Sequence, residues 1–146
     1  MDDLYMISKS EVINRLKKAG VTPTQQRVEI GQILFARPQH LSADQVLNIV
    51  NQDGPLVSKA TIYNTLGLFA RKGLVKEVIV DPSKVFYDSN TSEHHHFYAV
   101  DSGELMDIEG EVLRLENMPA LPAGTEADGV DIIIRVRSTT NQLRQT

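Results

Sequence analysis

The stretch SKATIYNTLGLFARKGLVKEVIVDPSKVFYD, residues 58–88, carries two hydrophobic periods back to back. From Ser58 to Gly73, the residues Ile62, Leu66 and Phe69 recur at spacings of four and three, the buried stripe of an amphipathic helix. Ser58 supplies an N-cap and Gly73 a stop. Beyond it, Val75, Val78 and Val80, then Val85 and Tyr87, flank Asp81-Pro82-Ser83, which reads as a two-stranded hairpin. A helix closed by a hairpin suggests a winged helix, in which the segment from Ser58 would enter the major groove of DNA. Its polar face offers Lys59, Thr61, Tyr63, Asn64 and Arg71: phosphate binders, hydroxyls, an aromatic ring and an amide able to read adenine. An ordinary helical domain with a solvated face fits the same residues equally well.

Three helices are expected upstream. SKSEVINRLKKAG (8–20) pairs Ser8 with Glu11 at capping-box spacing and puts Val12, Leu16 and Ala19 on one face. TQQRVEIGQILFA (24–36) starts from Thr24 and ends before Arg37-Pro38. SADQVLNIVNQDG (42–54) has a second capping box, Ser42 with Gln45, and closes at Gly54-Pro55.

The 146 residues suffice for one ordinary domain or two small ones. Residues 1–85 hold 11 Lys/Arg against 8 Asp/Glu, whereas residues 86–146 hold 4 against 11. A mildly basic front and an acidic back hint at a division of labour. The chain holds no cysteine, which excludes disulfides, thiolate zinc sites and cysteine nucleophiles. The opening MDDLYMISKSEVINRLKKAG lacks the apolar core of a secretory leader, and no run approaches the roughly 20 apolar residues of a membrane span. A cytoplasmic protein with no membrane partner is expected.

Three of the four histidines stand together in EHHHFYAV, which reads as a strand, with GELMDI as its partner across Asp101-Ser102-Gly103. Alternation along a strand turns His94 and His96 to one face and His95 with Phe97 to the other. Two imidazoles so placed can converge on one ion, and Asp88, Glu93, Glu104 and Asp107 lie close in sequence. Such a nitrogen and oxygen set suits iron(II), manganese(II) or zinc. A His-x-His pair by itself is equally well a pair of ordinary exposed or core histidines.

At this point four motifs in order resemble the ferric uptake regulator family of metal-responsive bacterial repressors, over residues 8–137. They are LKKAGVTPTQQR, HLSADQV, SKATIYNTLGLFARKGLV and HHHFYAVDSGELMDI. The resemblance implies an α+β chain: a winged-helix DNA-binding domain (1–84), a hinge (85–88) and a small α/β dimerisation and metal-sensing domain (89–146). In the latter it places strands near 94–100, 103–108 and 130–137 and a helix near 110–117. It implies a regulatory site of five ligands, His40, Asp88, His94, His96 and Asp107, most similar to that of the peroxide-sensing branch. Arg27, Lys59, Thr61, Tyr63 and Asn64 would contact DNA, with core packing as the bland alternative for Tyr63.

The departures also inform. Where most members carry Cys-x-x-Cys, this chain has Ala99 and Ser102, so no structural zinc held by four cysteines is expected. The combination of HHHFY with VDIIIRVR, without cysteine, is most similar to the iron response regulator branch. That branch adds haem as a candidate ligand, for which His95, with Glu104 or Glu116, would form the haem or second metal site. A solvated His95 is the simpler alternative.

The resemblance therefore implies a metal-responsive transcriptional regulator of iron homeostasis, not an enzyme. As a homodimer it would bind palindromic double-stranded operator DNA, with affinity set by Fe2+, Mn2+ or Zn2+, and by haem if that branch applies, at an inter-domain site. A peroxide-sensing repressor that uses iron(II)-dependent histidine oxidation is the alternative. A metalloenzyme is a third reading, without an evident general base.

Overall fold

The computed structural model describes residues 7–52, 54, 57–109, 113 and 116–139. It divides into two units, Met1–Thr91 and Ser92–Thr146.

In the first unit, four helices pack over a small sheet. Helix α1 (Lys9–Lys18) starts at Ser8, whose Oγ accepts the Glu11 N–H at 3.1 Å. Helix α2 (Gln25–Leu34) starts at Thr24, whose side chain accepts the Arg27 N–H at 3.2 Å. Helix α3 (Ala43–Val50) carries the full expected capping box: Gln45 N–H donates to Ser42 Oγ, and Ser42 N–H donates back to Gln45 Oε1. Helix α4 (Lys59–Arg71) is capped by Ser58. Val12, Leu16, Ile30, Leu34, Val46, Ile62, Leu66 and Phe69 are all fully buried in one core, and the rings of Phe35 and Phe69 stack 5.7 Å apart.

The hairpin forms where expected, as β2 (Lys76–Asp81) and β3 (Lys84–Asp88). Asp81 closes its turn by accepting the Ser83 hydroxyl at 2.7 Å and the Ser83 N–H at 2.8 Å, and these bonds hold its carboxyl below the usual carboxylate range. A third strand, β1 (His40–Ser42), pairs antiparallel with β3, giving the order β1-β3-β2. Residues 85–88, expected as a hinge, lie within β3: Val85 pairs with Ile79, while Phe86, Tyr87 and Asp88 are buried and paired on both sides. The chain's contacts divide between Thr91 and Ser92.

The second unit holds a three-stranded sheet of order β5-β4-β6. Strands β4 (His95–Ala99) and β5 (Glu104–Ile108) form an antiparallel pair, with Gly103 at φ 77° in the left-handed region that glycine adopts without strain. Strand β6 (Ile133–Val136) runs parallel to β4. The helix expected near 110–117 lies largely outside the described residues. Leu113, Glu116 and Asn117, which are described, belong to no helix or strand. Among the described residues, no helix is long and apolar enough to cross a membrane.

Helices α1 and α2 meet at a glycine. A Cβ added at Gly31 would sit 2.6 Å from Val12 Cγ1 and 3.1 Å from the Phe35 ring, both buried. Overpacking costs about 1–3 kcal/mol, against about 1 kcal/mol gained by replacing a helical glycine with alanine. At Gly67 the added Cβ would meet only the end of the Arg71 side chain, at 3.4 Å. Gly31→Ala should therefore lower the urea midpoint and Gly67→Ala should raise it. Equal shifts in the two variants would refute this account of helix packing.

Candidate metal centre and nucleic-acid interface

The β4–β5 register sets His96 opposite Asp107. His96 Nε2 stands 3.2 Å from Asp107 Oδ1, and His94 Nε2 stands 3.5 Å from the same oxygen. The two rings are 4.6 Å apart and tilted by 58°. The three donor atoms lie within 4.8 Å of one another.

Protonation decides what this convergence means. His94 Nδ1 is 2.7 Å from the Ser92 carbonyl oxygen. A carbonyl only accepts, so Nδ1 carries the proton and, in the neutral ring, Nε2 presents a lone pair to the carboxylate. That is the tautomer of a metal-ligating imidazole whose other nitrogen is held by a carbonyl. Charge-assisted N–H···O bonds run at about 2.7–2.9 Å. Neighbouring donors on an ion with bonds of about 2.1 Å stand about 3.0 Å apart at right angles and about 3.4 Å at tetrahedral angles. The separations of 3.2 and 3.5 Å fall within the range that one ion can bridge. With His96 1% exposed and the Asp107 side chain 48% exposed, the cluster is walled on one side and open on the other. Two imidazole nitrogens and a carboxylate fit iron(II), manganese(II) or zinc.

Two further expected ligands come together within the first unit. His40 and Asp88 are register partners across β1 and β3. Asp88 is buried and its Oδ1 accepts the Asn90 N–H at 2.9 Å, while the His40 ring stands edge-on to Phe86 at 6.2 Å. The pairing depends on β1, which sequence reading missed because three residues are too few to show a period.

The second set separates. Glu104 pairs with Ala99, four positions along β4 from His95, or about 13 Å at about 3.3 Å per residue. Antiparallel pairing sends the start of β5 to the end of β4, so closeness in sequence does not become closeness in space. Glu116 is exposed outside any strand. His95 Nδ1 accepts the Ile132 N–H at 3.1 Å, which ties the entry of β6 to β4. His95 thus has a structural hydrogen bond in place of the expected partners, and Nε2 is the nitrogen left to bind anything else.

On α2 and α4, Arg27, Thr61 and Asn64 line one cleft of about 520 Å³ with Thr24, Gln25, Gln26 and Thr65. Arg27 Nη1 donates to the Thr22 carbonyl at 2.8 Å, which steers the guanidinium along the start of α2. Tyr63 is 47% exposed, so core packing does not explain it. Lys59 Nζ lies 6.0 Å from the Tyr63 ring centre and 3.9 Å from Asp44 Oδ1. Gln25 and Gln26 were not singled out from the sequence, although they stand within the Thr-x-Gln-Arg run.

Residues 18–130 match the model of the ferric uptake regulator family. The chain belongs to that family. The peroxide-responsive repressor PerR of Staphylococcus aureus is 36% identical over 99 residues, spanning 68% of this chain and 67% of that protein. The ferric uptake regulator of Pseudomonas aeruginosa, solved with manganese, is 28% identical, with a TM-score of 0.64 over 87% of this chain and 97% of that one. The Vibrio cholerae ferric uptake regulator shares the fold at 21% identity, with a TM-score of 0.65 over 86% of this chain and 98% of that one. These relatives support the ferric uptake regulator family with a likeness to its peroxide-sensing members. They do not single out the iron response branch.

Removing a ligand should weaken binding of Mn2+ by at least about tenfold. His96→Ala and Asp107→Ala should each show that loss in a calorimetric titration, and Glu104→Ala should bind as the wild type does. A loss of the same size in Glu104→Ala would contradict the assigned cluster.

Proposed function

We propose that this chain is a metal-responsive transcription regulator that binds palindromic operator DNA as a homodimer and controls iron homeostasis in the cytoplasm. The observation that carries the reading is the convergence of His94, His96 and Asp107, with His94 Nδ1 held by the Ser92 carbonyl, in a chain whose other half pairs His40 with Asp88. All five residues would serve one regulatory cation, Fe2+ or Mn2+ with Zn2+ as a competitor. When bound, the cation would supply positive charge among these donors. The residues do the rest: Ser92 orients His94, the β4–β5 register sets His96 against Asp107, and the β1–β3 register sets His40 beside Asp88. Metal then favours one arrangement of the chain by the difference in its affinity for the alternatives, and no further.

On DNA, α4 would lie in the major groove. Tyr63 and Asn64 would reach base edges there, while Lys59, Thr61 and Arg27 hold the backbone. Membership in a family of regulators weighs against the metalloenzyme reading. Haem enters through the resemblance to the iron response branch and has no support in the geometry of His95.

A second reading, peroxide sensing, is favoured by the Staphylococcus aureus relative and by the nitrogen and oxygen donor set. With iron(II) bound, peroxide would oxidise His40 or a strand histidine and release the DNA.

Fluorescence anisotropy on a palindromic duplex selected from a random pool tests both readings. Mn2+ should change affinity by about 5–150-fold, the usual span of allosteric coupling. His40→Ala and Asp107→Ala should abolish that response while both variants stay folded. Peroxide with Fe2+ should release DNA and add oxygen to a histidine under the second reading, and leave the protein unmodified under the first. Affinity indifferent to metal would end both. Lys59→Ala should lower the salt slope by about one phosphate contact, and Asn64→Ala should relax discrimination by about 1–3 kcal/mol at one base pair.

A further inference from the structure

The register of β1 against β3 holds His40 beside Asp88, yet β1 contributes only three pairs. A one-residue slip in so short a strand would turn His40 to the opposite face. Something beyond the ladder has to hold the register.

The described hydrogen bonds supply it, just past the end of the pairing. Ser89 N–H donates to the Gln39 carbonyl at 2.8 Å, and Gln39 N–H donates to Ser89 Oγ at 3.0 Å. The Ser89 hydroxyl donates its single proton to the Arg37 carbonyl at 2.9 Å, with the Gln39 carbonyl at 3.2 Å as a second acceptor. Gln39 is anchored in turn. Its Nε2 donates to the Ile33 carbonyl at 2.7 Å, at the C-terminal end of α2, where helix carbonyls lack internal partners. Ser89 also sits inside the turn that Asp88 closes with the Asn90 N–H at 2.9 Å. One hydroxyl therefore stands next in sequence to Asp88 and bonds the residue next in sequence to His40.

We propose that Ser89 is a positioning residue for the metal half-site of His40 and Asp88, acting through a clasp with Gln39 and Arg37 that fixes the β1–β3 register. The inference rests on the reading that His40 and Asp88 serve the regulatory cation. Supporting groups that orient metal ligands change affinity by about 10–100-fold when removed. An alanine at position 89 keeps the backbone bond to Gln39 but leaves the Gln39 N–H without its acceptor.

The test is Mn2+ titration of the full-length protein, well below the unfolding temperature of the metal-free form, with the EPR line shape of the bound ion as a second readout. Ser89→Ala should bind Mn2+ about tenfold more weakly, with an altered line shape. Ser89→Thr, which restores the hydroxyl, should bind as the wild type does. All three should be folded at the titration temperature, with similar metal-free affinity for DNA, which separates positioning from folding. Wild-type affinity in Ser89→Ala would overturn the proposal, as would equal losses in the alanine and threonine variants. Should Ser89→Ala fail to fold, Gln39→Ala loosens the same clasp from the α2 side, and an unchanged Mn2+ affinity there would overturn it too. His40→Ala in the same titration tells the two levels apart. If that variant keeps wild-type affinity, the ligand reading itself falls; if it loses affinity while Ser89→Ala does not, the clasp alone falls.

Discussion

Two imidazole nitrogens and one carboxylate oxygen meet within a few ångströms at the β4–β5 hairpin, where the Ser92 carbonyl holds His94 by its Nδ1. A divalent cation placed among such donors would be attracted by the carboxylate charge and ligated by imidazole nitrogen. The functional reading of the chain grows from this constraint. In the proposed reading a cation would join these donors, and its supply would be the signal.

The first unit answers with a different kind of precision. Its helices are built from strong local signals: serine or threonine at every helix start and a core of interlocking aliphatic and aromatic side chains. On such a body Tyr63 stands outward from α4, and Arg27, Thr61 and Asn64 surround one cleft. His40 and Asp88, by contrast, are held by a minimal strand, so their spacing depends on side-chain hydrogen bonds at its end. A rigid scaffold with a register fixed by side chains suits the proposed regulator, whose fold would persist while its affinity for DNA changed.

Charge follows the same division. The acidic excess lies after residue 85, and most of the basic residues lie before it, Arg27 and Lys59 among them. A net charge of −4 is therefore no obstacle to binding a polyanion, because phosphate contacts respond to local and not total charge.

By itself the sequence determined the elements with strong local physics. The four helices were legible because caps and a 3.6-residue period are written in neighbouring residues, and the β2–β3 hairpin because Asp81-Pro82-Ser83 interrupts an alternating run. The pairing of His94 and His96 was legible for the same reason, since alternation along a strand is local. Tertiary structure alone decided the rest. It made a strand of His40–Ser42, too short for any period, and so brought His40 to Asp88 across 48 positions of chain. It set residues 85–88 within β3, where Phe86, Tyr87 and Asp88 pair with a strand on each side, a pairing that the short β1 supplies from far along the chain. It also parted Glu104 from His95 and gave His95 the Ile132 N–H, because antiparallel register and a parallel third strand are long-range choices that no local pattern records.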